Sequence, residues 1–239
     1  MIKFAGLQFQ VLTRSDILNT DLNFKFLTTA NAEIIVRANE QIDYRGILLK
    51  SLSCFDGQIP FLLAKMLNPF KKFEKISGSD LIYDVCAYAL AHNERLFLLG
   101  GQVDSNQKAV SILKEKFPDL DVSGFSPRFS PYPFPDDIEN QIKNHILYFK
   151  PHFIFVGFGA YKQEKWIDDH RDFLKNLGVK LAVGSGGTFE FVSGKLPRAP
   201  RFLQLIGLEG VFRFFVEPSA FRLKRLFVSL KIFYYAFKN

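Results

Sequence analysis

Cysteine is nearly absent: Cys54 and Cys86 are the only two in 239 residues. They lie far apart and match no metal-ligand or redox spacing, so both are expected to be buried, reduced thiols in a cytoplasmic protein. Histidine is scarce too. His92 follows a helix-like stretch, His145 and His170 read as helix-surface residues and His152 begins a strand, so no metal site built by the protein is expected. Long apolar runs are missing as well, since no stretch reaches the roughly 18 to 20 uncharged residues that a bilayer span takes. The opening MIKFAGLQFQVLTRSD carries Lys3 and Arg14 and lacks an apolar core followed by a small-residue cleavage site, which argues against a signal peptide. Membrane contact is therefore expected to be peripheral. Neither glycine-rich segment is followed by G-K-[ST], which excludes a P-loop, and GFGAYK lacks the third glycine of the dinucleotide fingerprint. No internal repeat or low-complexity tract is present.

Basic residues outnumber acidic ones, 31 to 24, for a net charge of +7. That balance favours an anionic partner: nucleic acid, a nucleotide diphosphate or an acidic lipid surface, among which charge alone does not choose. The length suits one sizeable α/β domain with an appendage.

From Leu96 onward short apolar runs alternate with longer helix-like stretches, the pattern of a parallel sheet packed between helices. Strands are expected at Arg95–Gly101, in LDVSGF, at Pro151–Gly159 and at Val179–Gly187. Helices are expected over Ser105–Phe117, over Asp136–Phe149 with acidic residues in its first turn, and from about Gln163 to Leu177. SPRFSPYPFP (Ser126–Pro135) is a loop by composition. Nearer the N-terminus, Phe24–Ala30 reads as a strand running into a helix at AEIIVRANE, and Ser79–Asn93 as a helix with a Ser-Asp cap. Ile47–Phe73 fits strand and helix equally. The whole implies a Rossmann-like α/β fold, a parallel sheet flanked by helices.

In open α/β sheets ligands bind beyond the carboxyl ends of the strands, where N–H groups at helix starts face phosphate. Three segments end there in polar or glycine residues: Thr28–Asn31, Val156–Glu164 and Val183–Thr188. Each glycine serves a tight turn as readily as a ligand; two such segments together favour phosphate. Asp56 in CFDGQ stands where a strand-end carboxylate could reach a pocket, although local sequence alone favours a plain Asp-Gly turn.

From Phe221 the chain reads FRLKRLFVSLKIFYYAFKN, with Leu223, Leu226, Phe227, Leu230, Phe233, Tyr234 and Phe237 at three- and four-residue spacing. This predicts an amphipathic helical appendage. Arg222, Lys224, Arg225, Lys231 and Lys238 around the aromatic face suit an anionic leaflet. The alternatives are packing on its own domain, a second subunit that would make a homo-oligomer, or a nucleic acid or substrate phosphate for Lys224 and Arg225.

Several spaced blocks resemble the WecG/TagA/CpsF glycosyltransferases along the whole chain. VGFGAYKQEKW (Val156–Trp166) is similar to the family's VGxGxPKQE, with Tyr161 where proline is usual. GSGGTFEFVSGKLPRAP (Gly184–Pro200) is similar to GxGGxFDxxxGxxxRAP, with Glu190 for aspartate. GLEGVFRFFVEP (Gly207–Pro218) is similar to GLEWxxRLxxEP, with Gly210 for tryptophan. Thr29-Ala30-Asn31 resembles its T-x-N, Asp56-Gly57 its D-G, and EKISGSDL (Glu74–Leu81) its ERxxGxDL, with Lys75 for the arginine.

The resemblance implies an inverting, metal-independent transfer of a sugar, N-acetylmannosamine-type or hexose, from a UDP-sugar to a polyprenyl-diphosphate-linked acceptor. It implies no cofactor, no nucleic-acid partner and a peripheral position on the inner face of the cytoplasmic membrane. It makes Asp56 the catalytic base, and gives the donor pocket Thr29, Asn31, Gly157, Gly159, Gln163, Gly186 and Gly187. Lys75, Arg198, Arg213, Arg222 and Arg225 become contacts to the diphosphate or acceptor. After the EP pair, Ser219, Ala220 and Phe221 precede Arg222 where the family has one residue. The implied division is a catalytic core over 1–196 and a membrane-associating, active-site-closing appendage over 197–239. Two other classes remain on the residues alone: a nucleotide-dependent oxidoreductase, which the incomplete fingerprint opposes, and a non-enzymatic basic membrane- or nucleic-acid-binding protein, which leaves the glycine blocks and Asp56 without a role.

Overall fold

The computed structural model describes residues 1–19 and 24–238. Eight strands occur among them: β1 (Ile2–Phe4), β2 (Leu7–Phe9), β3 (Lys25–Ala30), β4 (Leu52–Phe55), β5 (Leu96–Gly100), β6 (Val122–Phe125), β7 (Phe153–Gly157) and β8 (Leu181–Gly184). β1 and β2 pair as an antiparallel hairpin. The other six form one sheet in the order β4-β3-β8-β7-β5-β6. The register is parallel from β6 through β5 and β7 to β8. The expected α/β sheet flanked by helices is thus present.

The chain divides into two compact units, one of Met1–Thr13, Thr28–Ser77 and Leu196–Asn239, the other of Arg14–Leu27 and Gly78–Lys195. In the second, β5 is buried along its whole length, as a strand covered on both faces must be. Its helices span Arg14–Leu18, Gly78–Ala91, Val103–Lys116, Asp136–Phe149, Lys162–Asp169, Arg171–Asn176 and Thr188–Val192. The single helix expected from Gln163 to Leu177 is two. They meet at His170, whose ring stacks on the buried Trp166 at 4.5 Å and lies 2.7 Å from the Glu139 carboxylate. His170 is therefore largely enclosed rather than on a helix surface. Burial pushes the Glu139 carboxyl up, but the His170 and Trp166 hydrogen bonds, helped by charge, win and hold it below its ordinary value.

The first unit has an aromatic core. Phe55 stacks on Phe9 at 4.3 Å and meets Phe4 and Phe73 at 5.6 and 5.4 Å. Such pairs add about 0.5–1.5 kcal/mol each beyond the area they bury. The region left between strand and helix resolves into a helix over Ile42–Lys50, then β4, then a helix over Gln58–Leu67. Pro60 sits in the first turn of that last helix, where its missing N–H breaks no intrahelical bond. The C-terminal segment is helical at Arg201–Leu205, Glu209–Val216, Ala220–Leu230 and Ile232–Phe237, so the single helix expected from Phe221 is interrupted at Lys231. No described helix is long and apolar enough to cross a membrane. Both cysteines are buried free thiols; burial pushes Cys86 up to about 12, and burial together with the Asp56 charge raises Cys54.

Candidate active site

In the first unit, β3 and β4 end side by side. The Asp56 N–H donates to the Ala30 carbonyl at 3.0 Å, bringing the chain just past β4 against the end of β3. Lys75 bridges in parallel to Phe55, whose carbonyl accepts from the Ile76 N–H at 2.9 Å. Thr29, Asn31, Asp56 and Lys75, drawn from three separate stretches of sequence, thus converge at the carboxyl ends of two strands. The aromatic packing of Phe55 fixes the position of Asp56 beside it. Gly57 has φ +92°, a conformation natural for glycine, and turns the chain from β4 into the next helix. Asp56 is therefore a strand-end residue in a strand-to-helix turn.

Asn31 caps the helix Ala32–Glu40, its side-chain oxygen accepting from the Ile34 N–H at 3.0 Å. Two residues on, the buried Glu33 carboxylate is held between Arg37 of its own helix, 2.9 Å away, and Arg225 of the C-terminal segment. Arg213 and Arg222 also meet carboxylates, Arg213 with Glu209 at 2.6 Å and Arg222 with Glu217. Arg198 lies in the stretch leading to the helix Arg201–Leu205, beside Ala199, whose carbonyl accepts from Gln204 at 2.7 Å. Nothing in the local sequence marks Glu33 as the partner of Arg225, because the pair is 192 residues apart.

In the second unit the two glycine segments meet through Gln163. This buried side chain accepts from the Gly159 N–H at 3.2 Å and from the Gly186 N–H at 3.0 Å, and donates to Glu164 at 2.7 Å. The expectation that these N–H groups form an open phosphate cradle is modified accordingly: two of them are taken by Gln163. A Cβ at Gly159 or Gly186 would meet nothing within 4 Å, so open space lies beside both, and both have positive φ. Gly157 is glycine for another reason, since a Cβ there would lie 2.8 Å from Phe189. Gly187 precedes the helix Thr188–Val192.

Tyr161 has φ +72°, and its N–H donates to Glu164 at 2.7 Å. Proline, fixed near −65° and without an N–H, permits neither. This turn therefore departs in backbone as well as in side chain from the VGxGxPKQE pattern. The buried Glu164, which the sequence reading passed over, ties the turn to Gln163.

Among the described residues no group of three or more His, Cys, Asp or Glu is placed to hold a metal ion. The ends of β3 and β4 thus bring the chain positions of Thr29, Asn31, Asp56 and Lys75 together, residue types that proton transfer and anion binding use.

A family model described as the glycosyl transferase WecG/TagA/CpsF family matches residues 2–239. The chain belongs to that family. As a WecG/TagA/CpsF protein it is a glycosyltransferase, and similar proteins are named for one such reaction. The N-acetylglucosaminyldiphosphoundecaprenol N-acetyl-beta-D-mannosaminyltransferase of Bacillus subtilis (strain 168) is 26% identical over 200 residues, 84% of this chain and 74% of that protein. The enzyme of the same name from Staphylococcus aureus (strain MRSA252) is 28% identical over 220 residues, 91% of this chain and 81% of its own length.

Proposed function

We propose that this glycosyltransferase moves an N-acetylmannosamine-type sugar from a UDP-sugar onto a polyprenyl-diphosphate-linked N-acetylglucosamine, with inversion and without a metal ion, at the inner face of the membrane. The names of the similar proteins support the sugar and the acceptor. The convergence of Thr29, Asn31, Asp56 and Lys75 at the ends of β3 and β4 is the observation that carries the reaction type.

The Asp56 carboxylate takes the proton of an acceptor hydroxyl. The freed oxygen pair attacks the anomeric carbon, and the bond from that carbon to the diphosphate oxygen breaks on the opposite face. UDP leaves with the bonding electrons. Thr29 and Asn31 offer hydrogen bonds to the sugar, and Lys75 a positive charge to the acceptor or the diphosphate. A lysine supplies that charge without the bidentate geometry of the family's arginine. Negative charge growing on the leaving group calls for fixed positive groups. Arg213, Arg222 and Arg225 fill that role by exchanging their present carboxylate partners for diphosphate oxygens, with Arg198 as a further phosphate contact. Gly159 and Gly186, whose N–H groups Gln163 holds, serve with Gly157 and Gly187 the nucleotide end of the donor. The engagement of the Gly159 and Gly186 N–H groups by Gln163 weighs against a dinucleotide pyrophosphate there.

The test is UDP release from a panel of UDP-sugars with a short-chain polyprenyl-diphosphate N-acetylglucosamine, in the presence of a chelator. Acceptor-dependent release from one donor, lost in Asp56→Asn, is expected. No release from any donor together with no UDP binding by titration overturns the reading.

A further inference from the structure

The aromatic C-terminal helices are not the only apolar surface of the first unit. The helix Gln58–Leu67 buries Pro60 and Ala64 and leaves Leu62, Met66 and Leu67 exposed. Beyond it, Phe70 is 97% exposed. The loop presenting Phe70 is tied down on both sides. Asn68 donates to the carbonyls of Ala64 and Lys3 at 3.0 and 3.3 Å, the Lys65 ammonium donates to the Lys71 carbonyl at 2.6 Å, and the buried Phe73 packs on Phe61 at 5.6 Å. A phenylalanine held out into water at the tip of a fixed loop gains nothing for the fold.

Its surroundings indicate what covers it. Gln58–Lys75 carries four lysines, Lys65, Lys71, Lys72 and Lys75, against the single acid Glu74. Exposed apolar residues flanked by cations are the pattern of an anionic interface, where the ring enters the acyl boundary and the ammonium groups stay among headgroups. In the same unit the helix Ile232–Phe237, with Phe233, Tyr234 and Phe237 exposed, packs against this helix. The two apolar elements thus belong to one body, and a lasting peripheral attachment takes more than one anchor.

We propose that the helix Gln58–Leu67 and the loop through Phe70, Lys71 and Lys72 form a second membrane contact, docking on an anionic lipid surface beside the C-terminal helices. The inference rests on the peripheral-membrane reading above.

It is tested by sedimenting the full chain with vesicles of phosphatidylcholine alone or mixed with phosphatidylglycerol, alongside Phe70→Ser and the double variant Lys71→Gln/Lys72→Gln. Phe70→Ser is expected to weaken partitioning onto the mixed vesicles about tenfold, as for one aromatic ring kept in water. Removing the two lysines is expected to weaken it about fivefold for each charge, with loss of much of the salt dependence. Both variants should transfer sugar to a short-chain, water-soluble acceptor at the wild-type rate, which shows them folded. Wild-type partitioning by both variants overturns the second contact while leaving the C-terminal attachment standing. If the unsubstituted chain binds neither vesicle, the peripheral reading itself falls. A dimer in solution that dissociates on Phe70→Ser overturns the lipid assignment in favour of a second copy.

Discussion

The two units handle polar groups in opposite ways. Around the glycine turns of the second, the groups satisfy one another: Gln163 closes on the Gly159 and Gly186 N–H groups and on Glu164, and Glu164 on the Tyr161 N–H. In the first unit the prominent groups are charges held by opposite charges, with Glu33, just past the end of β3, between Arg37 and Arg225, and with Arg213 and Arg222 of the C-terminal segment on neighbouring glutamates. A hydrogen-bonded network whose members satisfy one another keeps a shape. A set of ion pairs can exchange partners when a more highly charged ligand arrives. The first kind of site is suited to recognition by fit, the second to stabilising charge that appears during a reaction.

The largest effect expected along this contrast comes from deleting Pro197 onward. That removes Arg198, Arg213, Arg222 and Arg225 and strips Glu33 and Glu40 of their C-terminal partners. Turnover should be abolished, and a truncated chain running at the full rate would remove the C-terminal charges from the mechanism. Next is Asp56→Asn, for which kcat should fall about 10² to 10⁴-fold, as for loss of a positioned base. Its urea midpoint should stay near that of the parent, so a matching loss of stability would make Asp56 a structural residue instead.

Gln163→Leu probes the opposite unit. It removes the acceptor of two part-buried N–H groups, about 0.5–1.5 kcal/mol for each bond lost, and takes from the buried Glu164 its Gln163 donor, so stability in denaturant melts should fall well before any effect specific to the reaction is seen. An unchanged melt would show that the glycine turns do not depend on this side chain. Smallest is the coupling between Glu33 and Arg225. A double-mutant cycle with Glu33→Gln and Arg225→Gln should give about 1–3 kcal/mol, since Glu33 is buried while Arg225 is only partly so and Arg37 remains as a second partner. A coupling of zero would mean that Arg225 is already free to act elsewhere.

The α/β alternation from Leu96 onward was legible because strands covered on both faces must be apolar throughout and their helices amphipathic. The helix over Gln58–Leu67 was not, because it exposes Leu62, Met66 and Leu67, and an apolar residue turned to water erases the periodicity that would announce a helix. The break at His170 carries no glycine or proline to mark it and depends on the Trp166 and Glu139 contacts. The β1–β2 hairpin has strands too short for alternation to register. At the site, the glycines, Asp56 and Asn31 could be read from strand-end placement and family resemblance. The pairing of Glu33 with Arg225 and the bond from the Gly186 N–H to Gln163 could not, because both join separate segments that meet only after folding.

β3 starts in one unit at Lys25–Leu27 and finishes in the other at Thr28–Ala30, and the chain passes between the units again at Ser77–Gly78 and Lys195–Leu196. Synthesis therefore delivers the pieces out of step. All of the second unit has been translated by Lys195, whereas the unit containing the N-terminus waits for its final segment, a delay of a few seconds at roughly 5–20 residues per second. During that interval Glu33 is without Arg225, and the helix Gln58–Leu67 is without the helix Ile232–Phe237. The half-made chain thus leaves bare the Glu33 carboxylate and the face of Gln58–Leu67 that the last segment meets in the finished one.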